Sequence, residues 1–394
     1  MQRELPDWID GWVEHRSNTE APTVYNKWVA VAMIAAVLER KCFIRWDKLI
    51  YPNFYIVLVG PPAGGKGVAM GSARDMLNEM SIQIAADATT KERLAQRLQE
   101  ATDNYQDRDT GETKSQSAIT IFSEEFAVFL GYGNQELMPW LCDWYDCKNS
   151  WDYEVKQSAD TKVKNLWLNI IGATTPELLQ DVLPRESFGS GLNSRIIYVY
   201  ADGRERLVIF PHLAKGQEGL WNKLLIDLQL IRTWEGEFVP DESYLMAWKD
   251  WYPKQRNFTI GNDPRMNGYV GRRPTHLHKL AMIMNASRDG EQVLTEADLK
   301  RGLEFLEEME QTMLRAFSGI GRSRNASTTH AVLSFIRTQG EVQLSSLYDR
   351  FKFDADRDEM SSVLATIEHA HLIKIRKEEV EGKKIYVAEY LPKD

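Results

Sequence analysis

Gly60, Pro61, Pro62, Ala63, Gly64, Gly65, Lys66 and Gly67 form a glycine-rich loop that carries the clearest chemistry in this chain. Glycines let backbone N–H groups turn inward on phosphate oxygens. The first turn of a following helix adds positive potential, and Lys66 supplies a point charge. The spacing is G-x-x-x-x-G-K, the phosphate-loop pattern. One residue departs from it: Gly67 stands where a Ser or Thr hydroxyl ordinarily ligates Mg2+. A cation accompanying the phosphates must then be held by water or by acids elsewhere.

Residues 118–122 (AITIF) run into Ser123-Glu124-Glu125. Beside a phosphate loop, a buried strand ending in adjacent acids offers one carboxylate to a metal and the next to an attacking water. Glu124 is assigned to the metal and Glu125 to the water. A one-residue shift to Ser123 and Glu124 is the alternative, as is a plain helix start whose acids complement the helix dipole. Thr175, in the GATTP that follows residues 166–171, either reaches the terminal phosphate or caps the helix that Thr-Pro-Glu opens. Arg195 sits between a Gly/Ser turn and an apolar run, where packing explains it poorly. It suits projection toward the γ-phosphate of a neighbouring subunit. Arg272 and Arg273, read as opening a later helix, either serve the far side of the nucleotide or form a solvated basic pair. ATP with Mg2+ is the cofactor these residues imply.

The elements that must position these groups are legible as alternating patterns. Residues 55–59 (YIVLV), 118–122, 166–171 (LWLNII) and 195–200 (RIIYVY) read as buried strands of the parallel kind. Helical segments such as residues 91–102 separate them, which implies an α/β sheet with right-handed crossovers. Residues 1–50 read as helical, including a stretch apolar nearly all round after Pro22-Thr23. The polar residues 103–117 read as a surface loop. After about residue 205 helices dominate, with amphipathic patterns at 273–287 and 296–317. A Gly/Ser/Arg-rich linker at 318–328 leads to a last unit with three helical patterns (329–339, 344–351 and 356–370) and two strands turning at Glu381-Gly382.

At 394 residues the chain has room for two or three domains, and 43% hydrophobic with 27% charged residues is globular composition. The formal net charge of -9 excludes a uniformly basic coat for nucleic acid but not a local basic channel. Three cysteines, Cys42, Cys142 and Cys147, make no disulfide framework or zinc set, which points to a reducing compartment. The longest apolar run, residues 28–38, is too short to span a bilayer. MQRELPDWID shows no signal-peptide pattern, so a cytoplasmic protein with no membrane partner is expected. Trp140, Trp144 and Trp151 read as a packing cluster.

Taken in order, the phosphate loop, strand-end Glu-Glu, GATTP, Ser194-Arg195 before a strand, Arg272-Arg273 before a Leu-rich segment and the terminal unit resemble an AAA+ ATPase. Within that group the chain is most similar to the minichromosome-maintenance-type helicases of phages and mobile elements, over roughly residues 50–390. The resemblance implies an α/β fold: a helical N-terminal collar (1–50), a P-loop AAA+ core of parallel sheet and flanking helices with a helical lid (51–320), and a C-terminal winged-helix-like domain (329–394). It makes Arg195 a trans-acting finger, Thr175 a sensor for the γ-phosphate, and Arg272 or Arg273 a second sensor. It also gives a place to a hairpin at 151–164, which in such helicases enters a central pore. Lys156, Lys162 and Lys164 on one hairpin face would track DNA phosphates without reading bases. The terminal unit carries ten basic and twelve acidic residues from 329 to 394, so it either contacts protein or touches DNA through Lys383 and Lys384.

The expected protein is an ATP-driven, ring-forming helicase or translocase, hexameric, acting on single-stranded or forked DNA in phage or mobile-element replication. It would work in a bacterial or phage-infected cytoplasm beside a primase or other replication proteins. The alternatives are a protein-remodelling or helicase-loading ATPase, and a nucleotide-gated DNA-binding initiator with weak hydrolysis.

Overall fold

The computed structural model describes residues 2–85, 90–106, 111–131, 136–153, 161–183, 191–210, 217–288, 290–317, 326–352, 355–380 and 383–391. The chain divides into two compact units, Met1–Ile320 and Gly321–Asp394.

The larger unit is built on five parallel strands flanked by helices. They are β1 (Tyr55–Val59), β2 (Ile84–Ala85), β3 (Thr113–Ser123), β4 (Leu166–Thr174) and β5 (Ile196–Tyr200), and they lie side by side in the order β5-β1-β4-β3-β2. Every residue of β1 and β4 is buried, the reason both read as nearly unbroken apolar runs. Asn169, in the middle of β4, is fully buried and is bonded through both its nitrogen and its oxygen. Its Nδ2 donates to Ala32 O at 3.1 Å and its Oδ1 accepts from Phe54 N at 3.0 Å. It thereby joins β1 and β4 to the Thr23–Leu38 helix, which is buried nearly all round, as its composition requires.

Gly172, also in β4, marks a close approach. A Cβ there would lie 2.7 Å from Phe126 Cδ2, so the missing side chain lets the turn that follows β3 settle directly on β4.

Three expectations are corrected. Residues 42–50 are not helical: Cys42–Arg45 and Leu49–Ile50 pair antiparallel. In the first of these strands Cys42 and Ile44 are buried while Arg45 is exposed, a period of two that the helical reading passed over. The first 50 residues pack within the larger unit. Of residues 103–117, the described residues 103–106 and 113–117 are strand, not loop. Thr102–Gln106 pairs antiparallel with the start of β3, Thr102 opposite Ser117 and Gln106 opposite Thr113. The polarity of 102–106 and 113–114 reflects exposure, not lack of structure, while Gln116 and Ser117 are buried polar residues. Finally, Arg272 and Arg273 do not open a helix. That helix runs from Asn267 to Ser287, through Pro274, and the arginines lie in its second turn.

The smaller unit has its own core, with Val332, Ile336, Leu347, Val363, Leu364 and Ile373 buried between helices Ala326–Gln339, Leu344–Arg350 and Arg357–His369 and a sheet. In that sheet Lys383–Tyr390 pairs antiparallel with both Ile373–Val380 and a short strand, Glu341–Gln343, that the sequence reading did not include. The wing turn at 381–382 lies outside the described residues. Among the described residues, no helix is long and apolar enough to cross a membrane.

Candidate functional site

β1 ends at Val59, and the loop that follows turns into the Lys66–Glu79 helix. Gly65, immediately before that helix, has φ 85° and ψ 5°, a left-handed conformation open to glycine at no steric cost. A side chain there would also meet Ala21, whose Cα lies 2.9 Å from the Cβ position. The Lys66 ammonium folds back over the loop, donating to Gly60 O at 2.7 Å and Pro61 O at 2.8 Å. Burial pulls its pKa below the ordinary lysine value, against the nearby charges of Glu125 and Glu177.

Because β1, β4 and β3 are neighbours, their carboxyl ends open onto one place, the usual ligand position in an open α/β sheet. A cleft of about 570 Å³ lies there, within the range of small-molecule sites. Residues 62–68 form one wall, Glu124 and Glu125 from the end of β3 another, and Thr174 and Thr175 from the end of β4 lie between. Both glutamates are exposed, whereas Ser123 is buried. The geometry therefore favours Glu124 and Glu125 over the pair shifted by one residue. Glu125 stands at the start of the Phe126–Leu130 helix without capping it through its side chain. Thr175 both lines the cleft and caps the Pro176–Val182 helix, its Oγ1 accepting from Leu178 N at 3.3 Å.

Two further cleft residues escaped the sequence reading. Arg204 Nε donates to Ala63 O at 3.1 Å, and its guanidinium pairs with Glu20. Arg204 follows β5, so its position at the carboxyl edge was available from chain order; Glu20, before the Thr23–Leu38 helix, gave no local signal.

The donor set fits a nucleotide-borne cation. Among the described residues no group of three or more His, Cys, Asp or Glu side chains could hold a metal ion by itself. A Mg2+ bound through nucleotide phosphates needs only one or two protein carboxylates. Glu124 is placed for this: a Cβ on Gly67 would lie 3.2 Å from Glu124 Oε2. The carboxylate thus stands over the position whose hydroxyl is missing.

The three arginines are not brought to this cleft. β5 pairs with β1 in register, Ile196 opposite Tyr55, so Arg195 lies at the amino edge of the sheet while the loop lies at the carboxyl edge. Arg195 Nη2 lies 2.7 Å from Asp146 Oδ2, and Arg272 Nη1 lies 3.3 Å from Asp146 Oδ1. Arg273 faces the interior. It is 1% exposed, bonds Glu310 through Nε at 2.6 Å and Nη2 at 2.9 Å, and stacks over Phe258. A guanidinium committed in this way makes a structural ion pair. Arg273→Met is expected to cost about 3 kcal/mol by stranding the Glu310 carboxylate, measured as a lowered midpoint of urea unfolding.

Of the hairpin lysines, Lys156 lies outside the described residues. Ser150–Tyr153 and Thr161–Lys164 pair antiparallel, with Lys162 and Lys164 exposed and Thr161 and Val163 buried, so the two lysines share a face. Asp152 lies opposite Lys162 and offsets part of that charge. Trp151 anchors the hairpin against Trp140 and Trp144, with ring centroids 4.9 and 5.3 Å apart. In the smaller unit Lys384 is exposed opposite Glu379, and Lys383 pairs through its backbone with Val380. Nearby, Arg376 is surrounded by Glu341, Glu378 and Glu389.

Comparison with protein-family models and with curated proteins finds no match to this chain.

Proposed function

We propose that this chain is an ATP-driven, ring-forming DNA helicase or translocase of phage or mobile-element replication, similar to the minichromosome-maintenance type. The observation that carries this reading is the single cleft in which the Gly60–Gly67 loop, Glu124 and Glu125, and Thr175 converge at adjacent strand ends. The loop amides and Lys66 would hold the β- and γ-phosphates. Glu124 would ligate Mg2+, which neutralises charge developing on the phosphates. Glu125 would polarise the attacking water, and Thr175 would sense the γ-phosphate. Arg195, at the other edge of the sheet, would serve the site of a neighbouring copy. Hydrolysis would alter packing between copies and move the hairpin lysines along DNA.

Lys66→Ala is expected to weaken ATP binding roughly 10- to 100-fold through loss of charge-assisted bonds to phosphate, measured by titration with a fluorescent analogue. The wider test is turnover with and without forked DNA. DNA should stimulate it, and DNA affinity should fall steeply with salt because phosphates are the contacts. A salt-independent affinity, or ATP hydrolysis indifferent to DNA, would remove the helicase reading.

A second reading is supported by the carboxylates around Arg376, which suit the smaller unit to protein contacts better than to DNA. In that case the chain remodels protein or loads a helicase, and a protein partner rather than DNA stimulates turnover.

A further inference from the structure

Arg195 and Arg272 come from different elements, the turn before β5 and the second turn of the Asn267–Ser287 helix, yet they meet on one carboxylate. Each is fixed by a second bond. Arg195 Nη1 donates to Gly191 O at 2.9 Å, and Arg272 Nε donates to Ser194 Oγ at 3.1 Å. The Tyr145 ring lies beside them, 5.9 Å from both guanidinium carbons, and its hydroxyl bonds His276 Nδ1 at 3.1 Å. The cluster is largely shielded: the side chain of Arg195 is 11% exposed, and those of Asp146 and Arg272 are 27% exposed.

Two guanidiniums converging on two oxygens is the arrangement that recognises a phosphoryl group. Burial pushes the Asp146 carboxyl up, but the hydrogen bond from Arg195 and the charges of both arginines outweigh it and hold the group below its ordinary value. The anion this fork holds belongs to its own chain. No nucleotide in the same chain's cleft can replace it. Five strand residues separate the amino edge from the loop, roughly 16 Å at the rise of a β-strand.

We propose that Asp146 is an internal stand-in for phosphate, holding Arg195 and Arg272 as a ready fork and yielding them to the terminal phosphate of nucleotide bound in a second copy. This rests on the ATPase reading above. Asp146 touches no nucleotide and is a positioning residue. Its single charge competes with the greater charge of a terminal phosphate, so the exchange proceeds only when a neighbouring copy delivers one. Assembly and hydrolysis are thereby coupled through one carboxylate.

The experiment is ATP turnover as a function of protein concentration for the wild type, Asp146→Asn, Asp146→Glu and Arg195→Ala, with nucleotide binding and thermal unfolding followed in parallel. Asp146→Asn keeps the shape and one acceptor but loses the charge. It should lower the concentration giving half-maximal turnover by about 5-fold or more, the low end of coupling between sites, with nucleotide affinity kept and thermal stability lowered, because two shielded guanidiniums lose their counter-charge. Asp146→Glu should keep the wild-type threshold. Unchanged concentration dependence in Asp146→Asn, or lower turnover with the fold intact, overturns the stand-in role while an inactive Arg195→Ala preserves the ATPase reading. A wild-type chain that neither binds nor hydrolyses ATP overturns both.

Discussion

Arg195→Ala is expected to lower ATP turnover by about 10³-fold or more, the effect of removing an arginine that stabilises phosphoryl-transfer charge, while nucleotide affinity stays near the wild-type value. The two quantities separate because the residue and its own chain's loop lie at opposite edges of β5 and β1. Arg195→Lys should restore little, since a point charge does not reproduce the fork. Mixing decides whether the residue acts between copies. Arg195→Ala chains keep an intact loop, and Lys66→Ala chains keep an intact arginine. A one-to-one mixture of these two weak or inactive proteins should regain activity at roughly a quarter of its interfaces by random assortment around a ring. Normal hydrolysis by assembled Arg195→Ala protein would sink the assignment, and absence of complementation would place the arginine outside the shared site.

Glu125→Gln is the second large effect, with turnover expected to fall about 10²- to 10³-fold and ATP still bound. Glutamine keeps the length and can still hydrogen-bond water, but it does not take a proton from it. Single-turnover quenching should show ATP retained unhydrolysed on the protein. Glu124→Gln provides the contrast: its activity should recover in part as Mg2+ is raised, because the lost contact is to the cation. If raising Mg2+ rescues Glu125→Gln instead, the two carboxylates have exchanged roles.

How much of this could be seen beforehand depends on burial. β1 and β4 were legible because strands covered on both faces must be apolar along their length. The loop was legible because few residues other than glycine suit such turns, and Glu124 and Glu125 because they end an apolar run. The alternation of Lys162 and Lys164 followed from the strand period, whereas Asp152 across the ladder required the register. The Thr102–Gln106 pairing was hidden by its polarity. Glu20 and Arg204 were missed because strand adjacency, not local pattern, brings residues so far apart in sequence onto one cleft.

The two neighbouring arginines show a different limit. Adjacent residues on a helix point about 100° apart. Here one of them reaches Asp146 and the other faces Glu310 in the interior. Telling them apart requires the helix phase, and therefore the true start at Asn267. Asp146 offered no motif at all; its significance lies in what converges on it.

Strand direction gives the larger unit a sense, like an arrow, with the loop at its point and the paired arginines at its tail. Two copies that met point to point, or tail to tail, would complete no site. On the proposed reading, copies placed in file complete one site per junction, so an open row always has one junction fewer than chains. Closing the row supplies the missing junction from a tail and a point that are already present, and repeats a contact used everywhere else. Turnover per chain would then rise with assembly and stop rising at closure, making the plateau itself a count of whether the circle is shut.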